Sequence, residues 1–529
     1  MSQTFPNEIP HKVSTYIKLS VATPEINTQN KPFSVEEILY AVYQTQGFQS
    51  IWLTRQGELN GRAKELLQYL QQCPYPQKIL TESFYGKLGQ LQTSGENNVP
   101  ASVYGEVELA LSKAFIQQAQ YNLKGYVTPE SMENSEWYIS ARYAEIDQLF
   151  INHLKATAHF QETLDSLLPQ HQVYRQLLTY KRNYEEIALH GGWPSVPDSI
   201  LNIEVGDTSS IVQSLKQRLS VTNDLHDQHL PGDIYDSIVE IAVKKFQNRH
   251  GLKTDGVVGK NTLYNLNIPV EDRLRQIEIN LDRFKWLPNQ QQVNSQYIWV
   301  NIPEYNLRYY RNDQVVRQHK VVVGAKKHRT PMLTRNISNL VFNPYWNVPY
   351  SIAKNEISPQ ARKDAEYLSK KNYELVGGWG TNDELDLTSD IDWNNGIDYT
   401  KVRIRQKPGP GNALGMVKFN MPNPWNIYLH DTPSKSKFYY AHRAFSHGCI
   451  RVENPIALAT DILENQDVLA KEEINKLIKS HETKSIRLNQ QIPVYLVYMT
   501  AWVDEQGNLM LYEDIYGKDH MYHEALNKV

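Results

Sequence analysis

Near residue 290 the apolar pattern of this 529-residue chain changes its period, and that change sets what the chain can fold into. Up to "EDRLRQIEINLDRFKWLP" apolar residues recur at the three-to-four spacing of helices; from "QYIWVNIP" onward they alternate, as strands do. A chain that is helical first and strand-forming later is multidomain α+β, and its length exceeds what one hydrophobic core serves, so three or four domains are expected. A hydrophobic content of 40% and a charged content of 21% fit an ordinary globular protein.

Residues 1–33 read as a polar, extended lead-in. Ser34 followed by Glu37 makes a capping-box pattern ahead of "VEEILYAVYQTQ". Helical spacing continues through "EVELALSKAFIQQAQYNL", "YAEIDQLFINHLKATAHFQETLDSLL" and "HQVYRQLLTYKRNYEEIALHG". These make 34–200 a helical scaffold, ended by the glycine and proline break "GGWPSVPDS" at 191–199. Residues 204–267 form a compact unit of three short helices, punctuated by Gly251, Asp255-Gly256 and Gly259. Its "VKKFQNRHGLKTDGVVGKNTLYNL" resembles the second half of the small three-helix peptidoglycan-binding repeat. The matching landmarks are packing and turn residues, so glycan binding and a spacer role both stay open.

A linker helix and the first part of a mostly β domain fill 270–349, and the remainder of that domain with a C-terminal segment fills 401–529. The predicted strands fall within about 295–345 and 401–512. Between them, 350–400 carries ten acidic and five basic residues, with glycines at Gly377, Gly378 and Gly380. Such a stretch is a capping insertion or a solvated excursion. The flanking β segments are basic: nine Lys or Arg against the single acid Asp431 in 401–451, and eight against two in 301–350. A basic cleft under an acidic cap suits a substrate rich in carboxylates.

The net charge of −3 argues against general nucleic-acid binding. The 33 tyrosines and 10 tryptophans suit carbohydrate or peptide clefts, or amphipathic packing surface. Two cysteines, Cys73 and Cys449, are too few for a disulfide framework, and Cys73, in the turn "QQCPYPQ", is assigned no role. No run of 18 apolar residues is present, so no transmembrane helix is expected. The first 30 residues also lack an apolar signal core, which fits a cytoplasmic protein or a chain whose export or anchor segment has been removed.

Cys449 lies in "AFSHGCIRVENP". A thiol near its ordinary pKa of about 8.5 is mostly protonated at neutral pH, so a catalytic cysteine needs a base or a positive field. His430, His442 and His447 are the nearby candidates, and His430 ends a predicted strand 19 residues before the cysteine. A strand-to-loop excursion that folds back would bring imidazole beside thiol. Gly448 permits close backbone approach, and successive amides there form a candidate oxyanion hole. Asn454 is the expected N-cap, and Pro455 the first residue, of a helix whose N-terminal field would favour the thiolate. Zinc ligation and a buried structural cysteine are the alternatives. Against zinc, His447 and Cys449 stand only two apart, with no second ligand pair; against a structural thiol, His, Gly and Arg crowd around it.

"HDTP" followed by "RAFSHGCIRVENP" resembles the signature of L,D-transpeptidase (YkuD-type) catalytic domains. "RQKPGPGNALGMVKFNMPNPWNIYLHDTP" and "PVYLVYMTAWVDEQGNL" are similar to the large multidomain members. Those members join a helical scaffold, a peptidoglycan-binding repeat and a catalytic domain with a capping insertion, and the resemblance spans about 34–515. It implies Cys449 as nucleophile, His430 as general base, His447 as an orienting group, and oxyanion-hole amides at Gly448 and Cys449. Arg451 and Ser446 fall at the substrate-binding edge, with bracing of the loop the alternative for Arg451 and a structural role the alternative for Ser446. Asp431 polarises His430 or makes a turn.

The resemblance implies no cofactor and no metal. The implied reaction is acyl transfer from a peptidoglycan tetrapeptide stem, through a cysteine thioester, to an amine of a second stem, giving 3→3 cross-links. It also implies carbapenem acylation of Cys449, a periplasmic or cell-envelope location, and penicillin-binding proteins or other wall synthases as partners. An L,D-carboxypeptidase, an enzyme attaching protein to peptidoglycan, and a non-catalytic wall-binding protein are the competing readings.

Overall fold

The computed structural model describes residues 8–21, 34–93, 99–140, 142, 144–156, 159–226, 232–288, 295–364, 366–377, 398, 399 and 401–528. The lead-in reading is corrected where it can be seen. Glu8–Ser20 is helix α1, with Val13, Ile17 and Val21 buried at four-residue spacing. The α1 ring of Tyr16 lies where a side chain at Gly105 would stand, so the absent Cβ admits the helix. Pro10 falls in the first turn, where its missing N–H costs nothing. The remainder of 1–33 lies outside the described residues.

The scaffold continues through α2 (Val35–Thr45), α3 (Gly61–Gln72), α4 (Glu82–Thr93), α5 (Ala101–Lys124), α6 (Ile146–Lys155), α7 (Phe160–Asp165) and α8 (Gln172–Leu189). The capping box forms as read: the Glu37 N–H donates to Ser34 Oγ at 3.1 Å, and the Ser34 N–H donates to Glu37 Oε2 at 2.6 Å. Trp52, Phe115, Phe150 and Phe160 fill its core.

Next, α9 (Ile211–Val221), α10 (Ser237–Arg249) and α11 (Lys260–Leu266) enclose a core of their own around Leu215, Val243 and Phe246. Gln247 braces the Asp255-Gly256 turn, donating to Asp255 Oδ1 at 3.0 Å and accepting from the Gly256 N–H at 2.9 Å. The Phe-Gln and Asp-Gly landmarks are thus packing and turn devices.

Helix α12 (Val270–Lys285) is the spine between scaffold and sheet. Asp282 accepts from the Tyr126 N–H at 2.7 Å on the scaffold side and from Tyr522 Oη at 2.5 Å on the C-terminal side. Asn280 accepts the Thr500 N–H at 2.9 Å. One continuous apolar core runs from α8 and α12 into the β domain.

The scaffold holds a short strand the periodicity missed, β1 (Trp137–Tyr138). The β domain comprises β2 (Gln296–Asn301), β3 (Asn306–Arg311), β4 (Gln314–Gly324), β5 (Met332–Phe342), β6 (Trp346–Asn347), β7 (Tyr373–Gly377), β8 (Val402–Gln406), β9 (Val417–Asn420), β10 (Leu429–His430), β11 (Ala444–Ser446), β12 (Ile450–Val452) and β13 (Lys484–Val497). The main sheet runs β1-β5-β13-β2-β3-β4-β12-β10-β9, and β9 pairs back onto β5, closing a ring of eight strands. Strand β11 joins β4, and β1 docks in parallel on β5, so the scaffold extends the catalytic sheet.

The insertion is a unit of its own. Strands β6, β8 and β7 form a small sheet, over which Val348, Ala353, Ile357, Leu368, Leu375 and Ile404 make a separate core. It takes in 346–347 and 402–406 as well as residues within 350–400, because β6 and β8 pair with each other at its base. Gly378, Gly380 and the acidic residues of 378–397 lie outside the described residues.

Candidate active site

Strand β10 lies parallel to β12 and antiparallel to β9, with His430 opposite both Arg451 and Lys418. Arg451 in turn faces Val322 on β4. Side chains in register share a face, so Lys418, His430 and Arg451 form one row. The Ile450 N–H donates to the Tyr428 carbonyl at 3.1 Å, which carries the parallel pairing back one step and sets Cys449 beside Tyr428 on the same face. Cys449 and His430 are therefore diagonal neighbours on adjacent strands.

The thiol of Cys449, partly exposed, stands 3.5 Å from the Asn426 carbonyl. Burial pushes the thiol above its ordinary value, while hydrogen bonds from Tyr428 and the charges of Lys418 and Arg451 pull the other way. The resting thiol is protonated, so positive field alone does not prepare the nucleophile. Among the described residues no hydrogen bond joins it to His430.

His430 is buried, and its Nδ1 lies 2.5 Å from the Asp431 carbonyl oxygen. That acceptor requires the proton on Nδ1, which leaves the Nε2 lone pair available. Burial, reinforced by the Arg451 charge, lowers the imidazole to about 3, so it is neutral at physiological pH. A neutral imidazole with a free Nε2 can accept a thiol proton. The Asp431 carboxylate points elsewhere: Oδ2 accepts the Met416 N–H at 2.9 Å and Oδ1 pairs with Lys435. Asp431 therefore serves His430 through its backbone and the neighbouring turn through its side chain.

The loop carrying Cys449 departs from two expectations. The Gly448 N–H donates to Ser446 Oγ at 3.1 Å, so it is not free for an oxyanion; the Cys449 N–H has no acceptor among the described residues. Ser446, 3% exposed, also donates to the Cys449 carbonyl at 2.6 Å. Its hydroxyl therefore spans the loop and braces it. Gly448 has φ +112°, and its carbonyl accepts Thr330 Oγ1 at 2.7 Å. Tyr516 fixes Thr330 from behind by accepting its N–H at 3.2 Å.

His447 points to the cap: its Nε2 lies 2.7 Å from Glu356 Oε1, and its ring packs on His328 at a centroid separation of 4.8 Å. His442 packs on Tyr305 and Phe445 instead. The histidines thus serve three different surroundings rather than converging as a ligand set. Pro455–Asn465 is a helix with Asn454 at its N-cap position, but the Asn454 side chain makes no capping bond, because its φ of −129° and ψ of 67° lie outside the usual cap conformation.

Lys418 and Arg451 have no carboxylate partner among the described residues. Lys418 lies 4.1 Å above the Tyr428 ring, and Nε of Arg451 is buried without a hydrogen-bond acceptor. Burial lowers both cations, and a Cys449 thiolate would raise both. Lys418, Tyr428, Asn426 and Glu356 were not singled out from the sequence. Period two in "MVKFN" and "IYLHD" would have found the first two, which sit at alternate positions on the His430 face.

Comparison with known proteins matches three segments of the chain. Residues 295–469 match the family described as "L,D-transpeptidase catalytic domain", 37–180 match "Scaffold domain", and 208–266 match "Putative peptidoglycan binding domain". A "Putative L,D-transpeptidase" of Haemophilus influenzae is 38% identical over 228 residues, 43% of this chain and 45% of that relative, so the chain spans under half of its length. Two crystal structures share less. That of an L,D-transpeptidase (Yku) from Stackebrandtia nassauensis is 13% identical, with TM-score 0.21 over 57% of this chain and 96% of that one. That of the L,D-transpeptidase (residues 123–326) from Xylanimonas cellulosilytica is 16% identical, with TM-score 0.17 over 57% and 100%. Likenesses so slight add nothing to the fold or chemistry argued above. The matched segments show a YkuD-type L,D-transpeptidase catalytic domain over 295–469, joined to segments similar to a scaffold domain and a peptidoglycan-binding domain.

Proposed function

We propose that the chain forms 3→3 cross-links in peptidoglycan through a thioester on Cys449. Neutral His430 takes the thiol proton at Nε2, and the thiolate adds to the carbonyl at the L-centre of diaminopimelate in a tetrapeptide stem. The Cys449 N–H faces the developing oxyanion. The bond to D-alanine breaks, and the leaving amine receives the proton from His430. An amine from a second stem then attacks the thioester, gives its proton to His430 and releases the thiolate.

The observation that carries this reading is the row of Lys418, His430 and Arg451 beside Cys449. It joins a neutral base to two cations without carboxylate partners among the described residues, and stem peptides bring carboxylates. The cap, held at His447 by Glu356, favours an amine over water by sheltering the thioester. The same chemistry places the protein at the cell envelope, with wall synthases as partners, and makes Cys449 a carbapenem target.

Intact-mass spectrometry with a disaccharide-tetrapeptide tests the proposal. Wild type is expected to gain the acyl mass less D-alanine, and Cys449→Ala to gain nothing. An unmodified wild type, or an adduct on the alanine variant, overturns it.

A further inference from the structure

Strand β1 carries the scaffold towards the active site. Strand β1 lies along β5, with Trp137 opposite Met332 and Tyr138 opposite Leu333. Alternation sends the two rings apart: Trp137 turns into the core and is 8% exposed, whereas Tyr138 faces out and is 44% exposed. Tyr138 is not idle surface. Its ring packs, tilted, against Trp425 at a centroid separation of 4.1 Å and 33° between planes.

Trp425 stands next to Asn426, whose carbonyl meets the Cys449 thiol. Its loop is fixed by Asn423, whose Oδ1 accepts the Trp425 and Ile427 N–H groups, each at 3.1 Å. Arg335 lies over the Trp425 ring at 5.6 Å and donates to the Thr334 carbonyl, and its other guanidinium donors have no acceptor among the described residues. An aromatic face backed by a second ring and edged by free donors has the chemistry that a pyranose needs. The C–H face of the sugar lies flat on the ring, and its hydroxyls meet the donors.

We propose that Tyr138, backed by Trp425, is a saccharide platform that seats the glycan part of the substrate beside the Cys449 loop. The scaffold thereby supplies a subsite that the catalytic domain lacks by itself. This rests on the acyl-transfer reading above, which leaves open how the glycan is held.

The test uses the full chain and two substrates, a disaccharide-tetrapeptide and the same tetrapeptide without sugar, with D-alanine release as readout. Wild type is expected to prefer the sugar-bearing substrate in kcat/KM. Tyr138→Ala is expected to shrink that preference about three- to tenfold, chiefly through KM, and Tyr138→Phe to retain it. A preference equal in all three proteins overturns the platform. Binding of the peptide-free disaccharide to Cys449→Ala protein, followed by NMR line broadening, checks the platform independently of turnover. Adding Tyr138→Ala should abolish it, and undiminished binding overturns the platform. Failure of D-alanine release alongside intact disaccharide binding counts against the reaction and not against the platform.

Discussion

Asp431 divides its work by atom: its carbonyl holds the proton of His430 Nδ1, while its carboxylate holds the 415–417 turn and Lys435. Asp431→Asn should therefore disturb the turn more than the base, whereas His430→Gln removes the base and should slow Cys449 acylation about 10²- to 10⁴-fold. Stopped acylation measured by mass against time separates the two. Because the buried imidazole titrates near 3 instead of its ordinary value, the unfolded chain binds the extra proton first as pH falls. Stability should thus be full above about 6.5 and decline between there and about 3, by a few kcal/mol from this group. Urea unfolding at several pH values should show a shallower decline in His430→Gln. The thiol is raised, so its alkylation by iodoacetamide should keep climbing above pH 8.5 or so. A rate already flat below pH 7 would mean a preformed thiolate. Cys449, His430 and Arg451 were singled out by a motif, whereas Lys418 and Tyr428, which strand alternation marks, were not. The double bond of Ser446 was not, because a hydroxyl's partners depend on how the loop turns and no spacing records that.

At the level of elements, the insertion touches the Cys449 motif, among the described residues, where Glu356 Oε1 lies 2.7 Å from His447 Nε2. Glu356→Gln should loosen that contact, seen as faster hydrogen exchange over 350–363, and should raise the share of hydrolysis relative to amine transfer. An unchanged product ratio would detach the cap from acceptor choice. The insertion was marked in the sequence by a change of charge and composition, but its sheet was not, since β6 and β8 are short and gain meaning only by pairing. Helix α1 was missed for a different reason: residues 1–33 read as polar chain, and the four-residue spacing of Val13, Ile17 and Val21 becomes decisive only against α5. Val13→Asp should lower scaffold stability by about 2–4 kcal/mol by burying an unpartnered charge, measurable by thermal melting.

Across the whole molecule, α12 and β1 tie the scaffold to the sheet through one shared core that includes Trp137, Tyr174 and Trp286. The unit of α9–α11 has a separate core. Calorimetry should accordingly show α8, α12 and the β domain melting together on that shared core, with α1–α7 and the three-helix unit, each enclosing its own core, able to melt apart. Melting of α8 and α12 separately from the β domain would contradict the shared core. The domain order was readable from the change of period, but this fusion was not, because β1 has only two residues and its partner lies far along the chain.

The ring closes where β9 meets β5, and the chain leaves and re-enters that seam at facing residues: Phe342 opposes Val417, and the Asn343 N–H reaches the Met416 carbonyl at 2.9 Å. Everything between them hangs from what is, for the ring, the mouth of a hairpin. Two ends so close could equally be joined by a tight turn. The insertion is thus a cassette: it can be shortened, enlarged or exchanged with another without re-registering a single strand around Cys449. Selectivity at the rim and chemistry on the floor can change independently.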